Sequence, residues 1–261
     1  MMSGGTMPMA GLSHVILNTG ESLANAVGYA LSVGFNVSPE STHSVGTKNR
    51  TIVLDGTYIE LLSLGDGPQG ANRIVGRPGG LAVISLRCNS ADSCFEHLTS
   101  MGVAAHRPLQ IHRTLSVGGE MKKAEFSVVR CKEPLSSGVS VFFCEHRTPA
   151  YIWPPRRVRH VNGALDIVGL SLSSTDRIRD VTMLRSIAER QRADGYSHSS
   201  VEFALSEKSK DLLKVSVRDD TAAEGPAERE QSTPRIARQA FDPSWGVALT
   251  FTTLRPSEVV P

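Results

Sequence analysis

The feature that most restricts the fold is a pattern met three times along the chain: a short apolar run, a segment with helical apolar spacing, a glycine stop, and then further strand-like runs. In the first pass Leu12 to Leu17 is the apolar run. Leu23, Ala26, Val27, Ala30 and Leu31 fall on one helix face, and Gly34 ends the helix as a left-handed cap. Extended structure resumes at Phe35 to Val37, and "RTIVLD" and "TYIELLSL" read as strands joined by Asp55-Gly56, a strong hairpin signal. In the second pass Leu81 to Leu86 is the strand, and Cys94, Phe95, Leu98 and Met101 mark the helix face. Gly102 is the stop, and the strands "AEFSVVRC" and "VSVFFCEH" are separated by Ser137-Gly138. The third pass starts at "LDIVGLSLSS", with Thr175 or Asp176 as N-cap and Ile178, Val181, Leu184 and Ile187 on the helix face. Gly195 closes that helix, and "SVEFALS", "LLKVSVR" and "GVALTFTTL" follow as strands. A period of roughly 70 to 85 residues makes this an internal repeat.

A strand-helix-three-strand unit leaves a cupped sheet with an unpartnered concave face, and two such units side by side close it. The expected class is therefore α+β: repeated βαβββ modules forming cupped mixed sheets with the helices outside. Residues 1–10 read as a flexible leader, 11–148 as two paired modules (11–66 and 79–147), and 149–163 as a proline-rich connector. Residues 164–255 read as a third, divergent module with a mobile loop at 219–235. A concave, apolar-walled cup with a few inward polar groups is a place for a small organic molecule.

Charge and cysteine usage narrow the partners. Lys+Arg 28 against Asp+Glu 26 leaves a formal net charge of +2, with no excess to draw nucleic acid or an anionic membrane. No apolar run approaches the roughly 18 residues of a membrane helix. The first residues do not have the form of a signal peptide. Cys88, Cys94, Cys131 and Cys144 lack metal-knuckle or dithiol spacing, so buried reduced thiols and a cytoplasmic setting are expected. A homodimer, with the last module packed against another subunit, is a further expectation.

Several short segments carry a family resemblance over about residues 12 to 175: "HVIL" (His14 to Leu17), "GTKN" (Gly46 to Asn49), "IELL" (Ile59 to Leu62), "FFCEH" (Phe142 to His146), Trp153-Pro154 and "HVNGA" (His160 to Ala164). In order and spacing they resemble the glyoxalase-like domain family of the vicinal oxygen chelate superfamily, which includes glyoxalase, bleomycin-resistance and dihydroxybiphenyl dioxygenase proteins. The resemblance implies a divalent metal (zinc, iron, manganese or nickel) held by histidine and glutamate from matching strands, acting on a substrate with neighbouring oxygens. Lyase, isomerase and dioxygenase outcomes are all compatible with such a centre.

Strand alternation puts Leu12, His14 and Ile16 on one face, and Tyr58, Glu60 and Leu62 on one face of the last strand of the first module. If the alternate residues pack under the helix, His14 and Glu60 both point into the cup. The expected metal ligands are His14, Glu60 and His146, with Glu60 and His146 catalytic and Asn49, Thr47, Tyr58 and Phe142 contacting the substrate. The second module departs from the first: Val83 stands where His14 does, and Phe142 where Glu60 does. His146 lies four residues beyond Phe142, about 13 Å along a strand, and reaches the centre only through a bulge or a different register. The other reading is a metal-free protein that binds or sequesters a small molecule, with His14 and Glu60 bonded to each other in the same cup. His160 is expected to make a structural turn with Asn162, while His43, His97, His106, His112 and His198 are expected to be solvated.

Overall fold

The computed structural model describes residues 9–20, 22–63, 80–153, 158–187, 200–204, 212–219, 236–239 and 247–253. Residues 1–8, Gly195, His198 and nearly all of the loop expected at 219–235 lie outside these. The first apolar run becomes β1 (Met9–Asn18), followed by α1 (Leu23–Ser32), β2 (Ser41–His43), β3 (Lys48–Val53) and β4 (Tyr58–Ser63). Asp55-Gly56 turns β3 into β4 with Val53 opposite Tyr58, as its hairpin chemistry requires. Extended structure expected at Phe35 to Val37 is not part of a strand; the pairing begins at Ser41.

The second set is β5 (Gly80–Cys88), α2 (Ala91–Ser100), β6 (Leu109–Val117), β7 (Glu120–Arg130) and β8 (Ser140–His146). The α2 N-terminus is held twice: Ser93 N–H donates to Ser90 Oγ, and Ala91 N–H donates to the Glu145 carboxylate at 2.9 Å. Strand β6 was absent from the sequence-based expectation. Its apolar positions alternate (Leu109, Ile111, Leu115, Val117) around a central Arg113, and that charge interrupts the pattern.

These eight strands close into a barrel in the order β1-β4-β3-β2-β6-β7-β8-β5. The β1 strand runs parallel to β4 and β5 parallel to β8, while β1 with β5 and β2 with β6 form the two antiparallel seams. Alternation divides the side chains between two cores. Val15, Leu17, Ile59, Leu61, Ile84, Leu86, Val141 and Phe143 face outward under the helices. Ile16, Tyr58, Leu62, Val83, Phe126, Val128, Phe142 and Cys144 face the barrel interior. The α+β class with mixed sheets and outer helices is the one expected.

Beyond the barrel, β9 (Ala164–Ser174), α3 (Arg177–Ile187), β10 (Ser200–Ala204), β11 (Leu212–Asp219), β12 (Ile236–Gln239) and β13 (Val247–Thr253) build a separate sheet ordered β10-β11-β9-β13-β12. Strand β12 was not anticipated. Asp176 caps α3 by accepting from Arg179 N–H at 3.1 Å. Ile167, Leu170, Val181, Leu184 and Ile187 join the outer core of the barrel. Ile178, placed on the apolar face by its spacing, is instead exposed, as are Leu31 and Met101 at the edges of their helix faces.

The connector is a structural clamp. His160 accepts from Asn36 N–H through Nδ1 and reaches the Val53 carbonyl through Nε2, and Asn162 Nδ2 donates to the Val33 carbonyl at the end of α1. All four cysteines are free and buried. Among the described residues no helix is long and apolar enough to cross a membrane.

Candidate functional site

The parallel pairing of β1 with β4 sets His14 beside Tyr58 and Ile16 beside Glu60, which makes His14 and Glu60 diagonal neighbours on the inner wall. His14 Nε2 lies 4.0 Å from Glu60 Oε2. The His14 ring stacks flat on Tyr58, with centroids 4.3 Å apart and planes 9° apart, and its Nδ1 lies 2.9 Å from Ser13 Oγ. Simple alternation would send Ser13 outward and Leu12 inward. Instead β1 shifts register against β5 between Ala10 and Leu12 and again between Leu12 and His14, so Leu12 joins the outer core and Ser13 faces the two histidines.

The same bulges bear on His146. Met9 pairs with Cys88 and His14 with Ser85, which moves His14 two positions toward the His146 end of β8. Strands in a barrel are also staggered, so residues offset in register meet across the interior. The outcome is a His14–His146 ring-centroid distance of 6.1 Å. Yet His146 is not a neighbour of Glu60. Its Nε2 lies 3.4 Å from Tyr58 OH and 3.5 Å from Ser13 Oγ, and Nδ1 is buried without a partner. Phe126, Tyr58 and Trp153 box its ring at 5.3, 6.0 and 4.9 Å. Burial is the main cause that pulls its pKa from 6.5 to about 3, with Arg87 and Arg113 adding to it.

His43, expected in solvent, belongs to the site. The β2–β6 seam places it opposite Arg113, its Nε2 lies 3.5 Å from Glu60 Oε1, and its Nδ1 lies 2.9 Å from Thr47 Oγ1. Asn49 stands behind Glu60: its Nδ2 donates to Glu60 Oε1 and its Oδ1 accepts from Ser41 Oγ. Thus one carboxylate, 4 % exposed, lies between two imidazoles and an amide. Burial drives the His14 pKa well below 6.5, with His146, Arg113, His43 and Arg87 contributing. Burial also lowers that of His43, against an upward pull from Glu60. Both imidazoles are neutral at pH 7, so neither pairs with Glu60 as an ion.

These groups border a cavity inside the barrel that opens in part to solvent. Its apolar walls are Ile16, Leu62, Ile111, Phe126, Val128 and Phe142, and its polar lining includes His14, His43, Thr47, Tyr58, Glu60 and Arg113. Of the residues expected at the site, His14, Glu60, Thr47, Tyr58 and Phe142 line this cavity, while Asn49 and His146 lie one layer behind it. His43 and Arg113 were missed. The signal for Arg113 was an inward-parity charge in an alternating apolar strand; for His43 it was the short "STH" run before "GTKN".

Two imidazoles and a carboxylate are chemically suited to zinc, iron, manganese or nickel. Among the described residues, however, no three His, Cys, Asp or Glu side chains are grouped so as to hold an ion. The set therefore does not fit a centre with three protein ligands. Register accounts for the missing donors in the second half of the barrel. Ile16 pairs with Glu60 as Ser85 pairs with Phe142, and His14 pairs with Tyr58 as Val83 pairs with Ser140. The places of His14 and Glu60 are thus taken by Val83 and Phe142, which have no donor atoms.

A family profile described as a glyoxalase-like domain matches residues 12–187. The chain belongs to the glyoxalase-like domain family. No functionally curated protein matches the sequence. Among solved structures, a hypothetical protein from Staphylococcus aureus is similar at TM-score 0.60 and 13 % identity, over 80 % of this chain and 87 % of that one. A 4-hydroxymandelate synthase mutant from Streptomyces coelicolor is similar at TM-score 0.48 and 13 % identity, over 84 % of this chain and 66 % of that one. A xylose isomerase-like TIM barrel/4-hydroxyphenylpyruvate dioxygenase fusion protein is similar at TM-score 0.49 and 14 % identity, over 83 % of this chain and 34 % of that one. Likeness at such identities concerns the fold alone. The family assignment bears out the resemblance carried by the short segments.

Proposed function

We propose that this glyoxalase-like protein takes a small oxygen-bearing organic molecule into the barrel and that Glu60 is the group that accepts a proton from it. The observation that carries this reading is a buried carboxylate at the wall of an apolar cavity, flanked by neutral imidazoles rather than by a cation. A carboxylate so placed is a general base for a C–H next to a carbonyl. The uncharged His14 and His43 rings flank the carboxylate with their Nε2 atoms and add no full charge beside it. Asn49 and Thr47 hold Glu60 and His43 in place, and Tyr58 fixes the His14 ring by stacking. Proton abstraction of this kind opens isomerase and lyase chemistry alike.

The test is ligand retention, followed by exchange. Protein equilibrated with a small-molecule extract and desalted should carry a small ligand by native mass spectrometry, and Ile111→Trp, which fills the cavity, should lose it. In deuterated buffer a C–H of that ligand should exchange with wild-type protein and not with Glu60→Gln. Equal retention by the filled variant, or exchange that survives in Glu60→Gln, would refute the proposal.

A second reading, a divalent metal seated between His14 and Glu60, is favoured by one observation. Ser13 ties up His14 Nδ1 and leaves Nε2 turned toward Glu60 Oε2, the kind of support that orients a ligand. Near-stoichiometric metal in the parent, lost in both His14→Ala and Glu60→Ala, would establish it.

A further inference from the structure

We infer that the molecule taken by this cavity is an anion, a small organic carboxylate whose acid group lies against Arg113; the inference rests on the cavity being the binding site. Arg113 is 3 % exposed and lines the cavity. Its guanidinium makes no hydrogen bond or ion pair with the described residues, and its Nε is buried without a partner. What it has is the face of Phe126, 5.9 Å from the guanidinium carbon to the ring centroid. A guanidinium withdrawn from water and left unpaired is costly to the fold. Arg87, which is also largely withdrawn from water and also has an unpartnered Nε, differs in that its guanidinium donates to the Gly56 carbonyl and stacks on Trp153.

Glu60 is not the missing partner. The two lie on opposite sides of His43, which is opposite Arg113 in register and 3.5 Å from Glu60, and no nitrogen of Arg113 comes within 4.0 Å of a carboxylate among the described residues. The cavity is therefore lined by two charged groups, Glu60 and Arg113, with the His43 imidazole between them. A planar guanidinium with free N–H groups matches a carboxylate in shape and charge. With the acid group there, the rest of the molecule lies against the apolar lining, which includes Ile111, Phe126 and Phe142, in the cavity that Glu60 also lines. The wall composition suits a short apolar or aromatic body.

The probes are benzoate and its neutral isostere benzamide, measured by calorimetry against wild type, Arg113→Met, Arg113→Lys and Ile111→Trp. Wild type should bind benzoate about tenfold or more tightly than benzamide. Arg113→Met should lose that preference without losing thermal stability, because it replaces an unpaired buried cation with an apolar chain of similar length. Arg113→Lys should retain part of the preference, as a charge without the planar fork. A purely structural arginine would give the opposite signature, a lower melting temperature with the preference intact, and that overturns the inference. Equal affinity for the two probes, abolished for both by Ile111→Trp, also overturns it while leaving the cavity as the binding site. Binding of neither probe overturns it as well, and the retention experiment then reports separately on the cavity.

Discussion

His146 should make this protein acid-sensitive in a way that a single substitution removes. Burial among Phe126, Tyr58 and Trp153, with Arg87 and Arg113 nearby, lowers its pKa from 6.5 to about 3. Between those values the unfolded chain binds a proton at this position and the folded chain does not. Stability therefore falls as pH falls through the window, by about 1.4 kcal/mol per pH unit for this one group. The loss is about 3 kcal/mol at pH 4 and levels off near 5 kcal/mol below pH 3, a large share of the stability of an ordinary domain. His146→Phe keeps a ring in the aromatic box and removes the titration. Urea unfolding of both proteins from pH 7 down to about pH 4 isolates the effect, since any packing cost of the new ring is independent of pH. The difference in unfolding free energy should move by about 3 kcal/mol in favour of the variant over that range. His43 is lowered too, but His146 is not among the causes, so it titrates alike in both proteins, whereas His14 loses one of its lowering neighbours in the variant and moves the difference in the same direction. Parallel stability curves would refute the claim that a buried neutral His146 sets the acid limit.

Asn49→Ala removes the amide that donates to Glu60 and accepts from Ser41; it should cost about 1–3 kcal/mol in urea unfolding at pH 7, and an unchanged midpoint would contradict that role. Gly34 has φ +85°, and a Cβ built there meets Asn162 N at 2.9 Å, so Gly34→Ala should lower stability by about 1 kcal/mol or more by thermal melting, a loss that Asn162→Gly cannot fully restore. Asp180, 1 % exposed, accepts from Ser136 N–H, Ser136 Oγ and Ser174 Oγ; Asp180→Ala should cost about 2 kcal/mol or more and raise proteolytic cleavage after residue 174, both checked at neutral pH.

What could be read from the sequence, and what could not, follows from the range of the interactions involved. Alternation is local, so the inward direction of His14, Tyr58 and Glu60 was visible from the residues alone, as was the hairpin at Asp55-Gly56. The β1 bulges are not local: they arise where β1 is laid against β5, and they exchange the faces of Leu12 and Ser13 in a run whose composition looks regular. Nor could the short β2 be distinguished from a loop, because three residues carry too little periodicity to register. The symmetry that makes the repeat legible also draws attention to the wrong positions. Comparing matched strands points to Val83 and Phe142 and suggests an empty second half, whereas the polar groups that complete the cavity come from the β2–β6 seam, where His43 faces Arg113. That seam exists only once the barrel has closed. A barrel without donor atoms at the matched positions of its second half thus still lines one cavity with a carboxylate and a guanidinium. The guanidinium comes from the seam where the two halves meet, and the roles proposed for Glu60 and Arg113 together call for a molecule that carries both an acidic C–H and a carboxylate.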